Sequence, residues 1–309
     1  MDMQSLFGLK TEQKEKVVND TLVMDVSTLT IATIMNNFKP KEQYTIDIVY
    51  IRHIVLDTIR FNVVKFKMNY PDIVLALDSG VSWRRNVAPY YKKKRESDKI
   101  ESEWDWEHLN SLIGAVYGEL IEYLPYKVIS VRYAEGDDII AVITKYVVSN
   151  GKSVMIVAAD SDMVQLQKYS GVMQWSPTQK KFVVPKYGCY RNDLRIKIIK
   201  GDKKDSIAPI KMRSDYIVTK VDGERSPSIR EKELLALLEA DDPTTLLSDE
   251  HAKRYKENEI LRDFDFIPPD IANRILEEYN APNKGNRSKM QDYFRTHQLY
   301  KMLEKITDF

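Results

Sequence analysis

Acidic residues stand directly after short apolar runs at several separate places in this sequence. Asp25, Asp78 and Asp160 each end such a run, and Glu135 follows a fourth run after a few residues. A single acid at such a position can simply cap a helix. Four of them, contributed by distant parts of the chain, indicate a shared site if the apolar runs are neighbouring strands.

Two short segments add further acids to this set. Asp160 and Asp162 lie two residues apart where a strand is expected to end, so both side chains can lean toward the same edge of a sheet. Asp137 and Asp138 follow Glu135, and a spacing of three places Glu135 and Asp138 on one face of a helical turn. Two carboxylates about 4 Å apart repel by about 4 kcal/mol at an effective dielectric of 20, so such a cluster needs a compensating charge.

Divalent cations fit this need for positive charge. The ligand set holds only oxygen atoms, which favours Mg²⁺ and allows Mn²⁺ as a substitute. The four histidines, His53, His108, His251 and His297, are scattered along the sequence. The single cysteine, Cys189, excludes an internal disulfide and a cysteine metal site. Two ions roughly 3.5–4 Å apart can drive in-line attack of water on a phosphodiester. The acids therefore predict two-metal hydrolysis.

The apolar runs that precede the acids are typical of central strands covered on both faces. They span residues 21–25, 73–78, 126–131 and 154–160. Helical patterns separate them, so we predict an α/β fold with a mostly parallel central sheet flanked by helices, in which ligands bind at the carboxyl ends of the strands. Beyond about residue 186 the strand signal fades and helical stretches at 229–239 and 290–306 predict a smaller helical part.

Basic side chains are clustered, although 47 basic and 46 acidic residues nearly cancel. One cluster lies within residues 83–95, with Tyr90 and Tyr91 interleaved, and a second lies within residues 195–213. Segregated charge of this kind is typical of a surface that grips phosphates. The sequence has no P-loop, no dinucleotide-binding glycine motif and no zinc-protease helix motif. It also lacks a signal peptide and the roughly 18 consecutive apolar residues of a membrane span, so we expect an intracellular protein.

Five motifs, in order, resemble the flap endonuclease and 5′-3′ exonuclease family. Residues 133–138 resemble its E-A-D-D signature, residues 159–166 its A-D-x-D-x-x-Q-L strand end and residues 201–206 its G-D-x-x-D-N turn. Asp25 and Asp78 match two earlier strand-end aspartates. Short stretches at residues 83–85, 104–106, 200–205 and 224–225 look most like the ribonuclease H enzymes of T-even bacteriophages. The resemblance implies the fold of the PIN and 5′-nuclease proteins.

The resemblance also implies metal ligands. The first ion would be held by Asp25, Asp78, Glu135, Asp137 and Asp160. The second would have Asp162, Asp202 and Asp205 around it, and we also count Asp138 among the catalytic and metal-binding acids.

Residues 83–103 would form a helical arch, or its base, through which the 5′ strand passes. Arg84 and Lys92 would contact the scissile phosphate, Tyr91 would stack a terminal base, and Arg95 completes the family pattern. Duplex phosphates would be gripped by Lys203, Lys204, Lys211 and Arg213. The glycine-rich hairpin that binds potassium in most family members is replaced by residues 206–213, so a potassium site stays open.

The function expected from these features is that of a Mg²⁺-dependent 5′-to-3′ nuclease acting on RNA–DNA hybrid and duplex DNA. It would also cut flaps and remove RNA primers during DNA replication. Two alternatives remain at this stage: a toxin-like ribonuclease with a similar acid-ended sheet, and a non-catalytic DNA-binding replication accessory protein of the same fold.

Three segments are expected along the chain. Residues 1–20 form a tail whose apolar stretch at 4–9 resembles a sliding-clamp peptide, residues 21–185 form the α/β nuclease domain, and residues 186–309 form a helical duplex-binding domain. The expected partners are nucleic acid, single-stranded DNA-binding protein and a sliding clamp. We expect a monomer without membrane contact, in the host cytoplasm if the chain is phage-encoded.

Overall fold

The computed structural model describes residues 18–225 and 227–309. The predicted clamp peptide at residues 4–9 lies outside the described residues.

A six-stranded sheet forms the centre of the structure. Its strands in chain order are β1 (Thr21–Asp25), β2 (Asp72–Ala76), β3 (Lys127–Ile129), β4 (Val154–Val157), β5 (Val172–Ser176) and β6 (Lys181–Phe182). Their spatial order is β3-β2-β1-β4-β5-β6. The first five are parallel, and β6 pairs antiparallel with β5 at one edge. The predicted mostly parallel sheet is confirmed.

Thirteen α-helices surround the sheet within the described ranges. They are α1 (Val26–Asn37), α2 (Ile48–Phe66), α3 (Arg84–Val87), α4 (Lys93–Glu101), α5 (Trp106–Tyr123), α6 (Gly136–Ser149), α7 (Tyr190–Lys200), α8 (Tyr216–Thr219), α9 (Glu231–Glu239), α10 (Asp249–Arg262), α11 (Pro269–Asn280), α12 (Arg287–Thr296) and α13 (Tyr300–Glu304). Short 3₁₀ segments occur at Pro40–Thr45, Ser161–Lys168, Pro243–Leu246, Phe264–Phe266 and Ile306–Asp308.

Both faces of the central strands are buried, as their continuous apolar sequence predicts. Leu22 and Met24 of β1 pack into one core with α1, α2 and α5, while Val23 between them packs into a second core with α6. All three side chains are fully buried. This alternation follows from the two-residue period of a strand, and it fixes which way the end of β1 points.

The last fifty residues return to the sheet rather than forming a separate body. Ile271 and Ile275 of α11 belong to the core beneath α6, and Phe294 and Phe309 belong to the opposite core. The helices that pack among themselves are α7, α9 and α10, through a small cluster that contains Ile199. In the parts of the chain that the structure describes, no helix has both the length and the apolar content that a membrane crossing requires.

Candidate active site

A small cavity of about 60 Å³ opens at the carboxyl ends of the parallel strands. Charged side chains make up most of its lining. The acids are Asp78, Glu135, Asp137, Asp160, Asp162 and Asp205, and the bases are Arg84, Lys92, Arg95 and Arg262. Because parallel strands end at the same edge of a sheet, acids that are far apart in sequence meet here.

Four acids at this edge of the sheet form what we call the first acid group. Asp78, Asp137 and Asp160 line the cavity, and Asp25 lies buried beside them. Asp25 ends β1 and caps α1, and one of its carboxylate oxygens accepts a hydrogen bond from the backbone N–H of Thr28 at 2.9 Å. Its other oxygen, Oδ2, is buried and has no hydrogen-bond partner among the described residues. Within residues 18–225 and 227–309, the four acids form no ion pair. In the described part of the chain, no cation is therefore paired directly with these carboxylates, although Lys92, Lys197 and Arg262 lie near some of them.

The pKa values of the first acid group are raised accordingly. Burial, followed by repulsion from Asp78, raises the pKa of Asp25 to about 7. Burial and then the neighbouring charges of Asp160 and Asp25 raise the pKa of Asp137 well above its usual value. The pKa of Asp160 is also raised, first by burial and then by the negative charge of Asp162. Asp78 is exposed at the mouth, yet the protein atoms crowded around it also raise its pKa.

Three further acids, Asp162, Asp202 and Asp205, form the second acid group. All three contact the guanidinium of Arg262 at the end of α10, with nitrogen–oxygen distances of 3.2, 3.0 and 2.7 Å. Lys197 of α7 also pairs with Asp162. Burial alone would raise the pKa of Asp162, but Arg262 and Lys197 outweigh it and the pKa is lowered.

The turn that carries Asp202 and Asp205 depends on one glycine. Gly201 has φ +70°, and a Cβ there would lie 2.3 Å from the carbonyl oxygen of Ile207. Asp202 and Ile207 exchange two backbone hydrogen bonds, of 2.8 and 2.9 Å, which close the turn. Any larger residue at position 201 would open this turn and displace both acids.

Glu135 and Asp138 are bound together by Arg84. The Arg84 guanidinium lies 2.8 Å from an oxygen of each carboxylate, and it is only 2% exposed. Asp138 also accepts hydrogen bonds from the Trp83 indole at 3.2 Å and from the Glu135 backbone N–H at 2.9 Å. Asp138 is fully buried and does not line the cavity. In this structure its oxygens are taken up by these donors, and its predicted place among the metal ligands stays a prediction.

Lys92 and Tyr91 close the cavity on the side of the predicted arch. Lys92 forms an ion pair with Glu135, and the Tyr91 hydroxyl donates to the same carboxylate at 3.1 Å. Burial would raise the pKa of Glu135, but Lys92 and then Arg84 lower it to about 2. The Tyr91 ring is 3% exposed and packs against Ile207 and neighbouring residues, and the predicted stacking of a terminal base on Tyr91 stays a prediction that requires the ring to become exposed. No face of the ring is open to a base in this structure.

The short helix α4 follows and stands away from the core, with no buried residue. Its base is tied to the Gly201 turn: the backbone N–H of Lys92 donates to the Asp205 carbonyl at 2.9 Å, and that of Lys94 donates to Ser206 Oγ at 2.9 Å. Arg95 pairs with the Asp205 carboxylate at 2.6 Å. The arch segment and the second acid group are therefore in direct contact.

The donor chemistry of the first acid group fits a hard divalent cation. It offers only carboxylate oxygens, and it includes one buried oxygen, Asp25 Oδ2, that has no hydrogen-bond partner among the described residues. In the described residues, however, no three acid, histidine or cysteine side chains are already grouped closely enough to hold an ion. Binding therefore requires carboxylates to rotate toward a common point, for which Asp25, Asp78, Asp137 and Asp160 are the available ligands.

Comparison with known proteins shows the family to which this chain belongs. A family model described as the N-terminal resolvase-like domain of 5′-3′ exonucleases matches residues 31–188, and a model of the C-terminal part of T4 RNase H matches residues 188–309. Ribonuclease H of Enterobacteria phage T4 is 39% identical over 313 aligned residues, which cover all of both chains. The chain belongs to the 5′-3′ exonuclease family. It is a nuclease related over its whole length to a phage ribonuclease H.

Solved structures agree on the fold of this nuclease. A flap endonuclease of bacteriophage T5, in a pseudo-enzyme–product complex with DNA and metal ions, has a TM-score of 0.62 at 17% identity and covers 85% of this chain and 100% of that chain. The T5 5′-exonuclease with bound zinc has a TM-score of 0.59 at 15% identity, and the match covers 91% of this chain and 98% of that chain. These neighbours are solved with divalent metal ions.

The predicted nucleic-acid contacts of the nuclease divide into accessible and occupied side chains. Lys203 and Lys204 are exposed beside the cavity. Lys211 pairs with Glu233 at 2.7 Å, and Arg213 pairs with Glu224. Their predicted roles on duplex phosphates stay predictions, and these two side chains must exchange an internal partner for a phosphate. Arg84 is likewise committed to internal pairs, which leaves Lys92 and Arg95 as the more accessible cations of the arch base.

Sequence reasoning missed Arg262 and gave Lys197 no role of its own. Arg262 is 100 residues from Asp162 along the chain, and no spacing or motif connects them. Lys197 does fall inside the second basic cluster. The one sequence signal for Arg262 is indirect: Gln165, inside the segment 159–166, donates to the Arg262 carbonyl at 3.1 Å.

Proposed function

We propose that this nuclease hydrolyses phosphodiesters of RNA–DNA hybrid and duplex DNA from 5′ ends, with flap endonuclease activity, and that it removes RNA primers during DNA replication. It would use two divalent ions, Mg²⁺ with Mn²⁺ as a substitute. The observation that carries the proposal is the cavity at the strand ends, where no basic side chain of the described residues is paired directly with the first acid group. The full-length similarity to a ribonuclease H supports the substrate class.

Asp25, Asp78, Asp137 and Asp160 would hold the first ion, which supplies an activated water and stabilises developing negative charge. Asp162, Asp202 and Asp205 would surround the second position. We infer that the chain's own contribution is to place these carboxylates and to exclude bulk water from a cavity of about 60 Å³.

Lys92 and Arg95 would contact the phosphate that enters the cavity. Lys92 lies 21% exposed at the cavity wall and Arg95 is 45% exposed at its rim. Each is paired with a carboxylate before substrate arrives, so a phosphate can take over part of that pairing without a new charge being buried. Arg84 would not contact the phosphate but would hold the carboxylates of Glu135 and Asp138 in place.

The proposal is tested by cleavage of a 5′-labelled RNA–DNA hybrid at increasing Mg²⁺ concentration. Asp160→Asn combined with Asp162→Asn is expected to abolish products at every Mg²⁺ concentration while hybrid binding is retained. The matched control neutralises two exposed neighbouring acids of α11, Glu277→Gln with Glu278→Gln, and keeps wild-type cleavage. Mg²⁺-dependent cleavage that survives the cavity double variant contradicts the assignment of these acids.

The partner predictions rest on sequence alone. The peptide at residues 4–9 is proposed to bind a sliding clamp, and single-stranded DNA-binding protein is proposed as a second partner. Deletion of residues 1–17 should then weaken clamp binding and leave cleavage of a short hybrid unchanged.

A further inference from the structure

One arginine reaches all three carboxylates of the second acid group. Arg262 is the last residue of α10 and is 4% exposed. Its Nη1 lies 3.2 Å from Asp162 Oδ2 and 2.7 Å from Asp205 Oδ2, and its Nη2 lies 3.0 Å from Asp202 Oδ2. A single guanidinium thus fills the space between acids that come from two separate segments of the chain.

Arg262 is fixed there by the backbone around it. The Gln165 amide donates to the Arg262 carbonyl at 3.1 Å, and its oxygen accepts from the backbone N–H of Phe264 at 3.0 Å. The carbonyl of Leu261 accepts from Arg84 Nε at 2.9 Å. The backbone at the end of α10 is therefore anchored on both sides, and the guanidinium itself is held by its bonds to Asp162, Asp202 and Asp205.

The negative charge of the second acid group is already compensated by basic side chains of the protein. Lys197 pairs with Asp162 and Arg95 pairs with Asp205, in addition to Arg262. Three carboxylates thus face three cations. In the first acid group, by contrast, four acids form no ion pair within the described part of the chain.

We propose that Arg262 is a positioning residue that serves as the built-in counter-cation of the second acid group and weakens the binding of a divalent ion there. A metal ion then fills the first acid group at a much lower concentration than the second. The inference rests on the proposed use of divalent ions and deepens it, because it assigns different affinities to the two positions.

The physical reason is competition between like charges. A divalent ion that enters between Asp162, Asp202 and Asp205 must share their oxygens with a fixed guanidinium and is repelled by it. The carboxylates gain less from the ion, since Arg262 and Lys197 already stabilise their charged forms. Substrate phosphates bring negative charge to the same place, so the second ion is expected to bind tightly only together with nucleic acid.

Binding of Mn²⁺ to the full chain without nucleic acid, measured by titration calorimetry at constant pH and ionic strength, tests this inference. The wild type should bind one ion, and a second at least about tenfold more weakly. Arg262→Met should tighten the second site about tenfold or more and change the first less than about threefold. Arg262→Lys, which keeps the charge, should stay close to the wild type.

Arg254→Met provides a matched control. Arg254 is a buried arginine of the same helix, 7% exposed, and its side chain contacts the Met212 carbonyl, Glu257 and Asn258 rather than the cavity acids. Its loss removes a buried guanidinium from α10 without changing the charge of the second acid group. Both ion affinities should therefore equal those of the wild type.

Thermal unfolding gives a readout that is independent of activity. In chelator, Arg262→Met should unfold at a lower temperature than the wild type, and Mn²⁺ should restore more stability to it than to the wild type. If Arg262→Met does not fold, Lys197→Met is measured instead, because Lys197 is more exposed and reaches only Asp162 of this group. It should tighten the second site by a smaller factor.

The outcomes separate the inference from the proposed function. A second site that stays equally weak, or becomes weaker, in the folded variants overturns the role of Arg262 while metal use stands. A wild type that binds no ion at the first acid group overturns the proposed metal use itself.

Discussion

The first and the second acid group lie side by side at the same edge of the sheet, but in the described residues only the second is balanced by direct ion pairs. Asp160 and Asp162 are two residues apart, yet the pKa of Asp160 is raised and that of Asp162 is lowered. The difference comes from direct contacts: Asp162 pairs with Arg262 and Lys197, whereas burial and the charge of Asp162 outweigh the effect of these two cations on Asp160. Identical side chains are thus prepared for different tasks by the cations that the fold brings to them.

The two acid groups should also contribute differently to the stability of the metal-free protein. A buried carboxylate without a counter-ion destabilises the metal-free protein and favours binding of a cation. A buried carboxylate in an ion pair with an anchored arginine stabilises its surroundings only as long as the pair is intact. Removing an acid should therefore have different consequences in the two groups.

The largest expected effect is on the rate of cleavage. Asp160→Asn should lower the rate on a 5′-labelled hybrid by more than about a hundredfold, because it removes a proposed ligand of the first ion, while Asp202→Asn should lower the rate about tenfold. Initial rates at saturating Mg²⁺ measure both. Equal losses would remove the functional distinction between the two groups.

The next effect concerns stability without metal, where the two groups should respond with opposite signs. Asp25→Asn should raise the free energy of unfolding by about 2 kcal/mol at pH 8, because a buried charge is removed and Asn remains a good helix cap. Asp205→Asn should lower it by about 3 kcal/mol, because Arg262 loses a buried partner. Urea denaturation in chelator measures both changes. Two changes of the same sign would contradict the comparison.

A third prediction uses the pH dependence of stability in chelator. The pKa of Asp25 is about 7 in the folded chain and 3.8 ordinarily, so between these values the folded state binds more protons and stability falls as pH rises. The pKa of Glu135 is about 2 against 4.5, so its contribution is present above pH 4.5 and is lost as pH falls toward 2. In the Asp25→Asn variant, the free energy of unfolding should decline less steeply between pH 4 and 7 than in the wild type. An unchanged slope in that variant would count against a raised pKa.

The smallest effect is expected from Gly136→Ala at the start of α6. A Cβ at this position would lie 3.4 Å from Asp78 Oδ1 and 3.7 Å from Asp25 Oδ1, which is ordinary van der Waals contact. Alanine is the better helix former, so stability should rise by up to about 1 kcal/mol and the cleavage rate should stay within about twofold. Denaturation and rate measurements on the same preparation check this. A large loss of activity would show that the first acid group has no room for even one methyl group.

Much of the site could be predicted because its acids follow strands. The runs at 21–25, 73–78 and 154–160 are apolar apart from Thr21 and the aspartate that ends each of them. This pattern indicates central parallel strands, and such strands end together. The two short strands β5 and β6 were not singled out, since Val172–Ser176 mixes polar and apolar residues and Lys181–Phe182 is only two residues long. Periodicity is weak in segments of that kind.

The sequence is least informative where burial, rather than residue type, decides which partners a side chain contacts. Tyr91 and Arg84 stand in a strongly basic segment and look like ligand-binding residues in the sequence. In the structure both are buried, and both contact Glu135. Asp138 resembles its neighbour Asp137, but one helical position turns it away from the cavity and onto Arg84.

The sequence by itself determined the α/β sheet, the edge at which the acids gather and the family, because each of these follows from local patterns and short motifs. Only the tertiary structure decided which acids pair directly with a cation. Arg262 meets Asp162 across 100 residues of sequence, and Gln165 and Arg84 hold the end of α10 in place. A pairing of that kind depends on how α10 packs against the end of the sheet, and no local pattern records it.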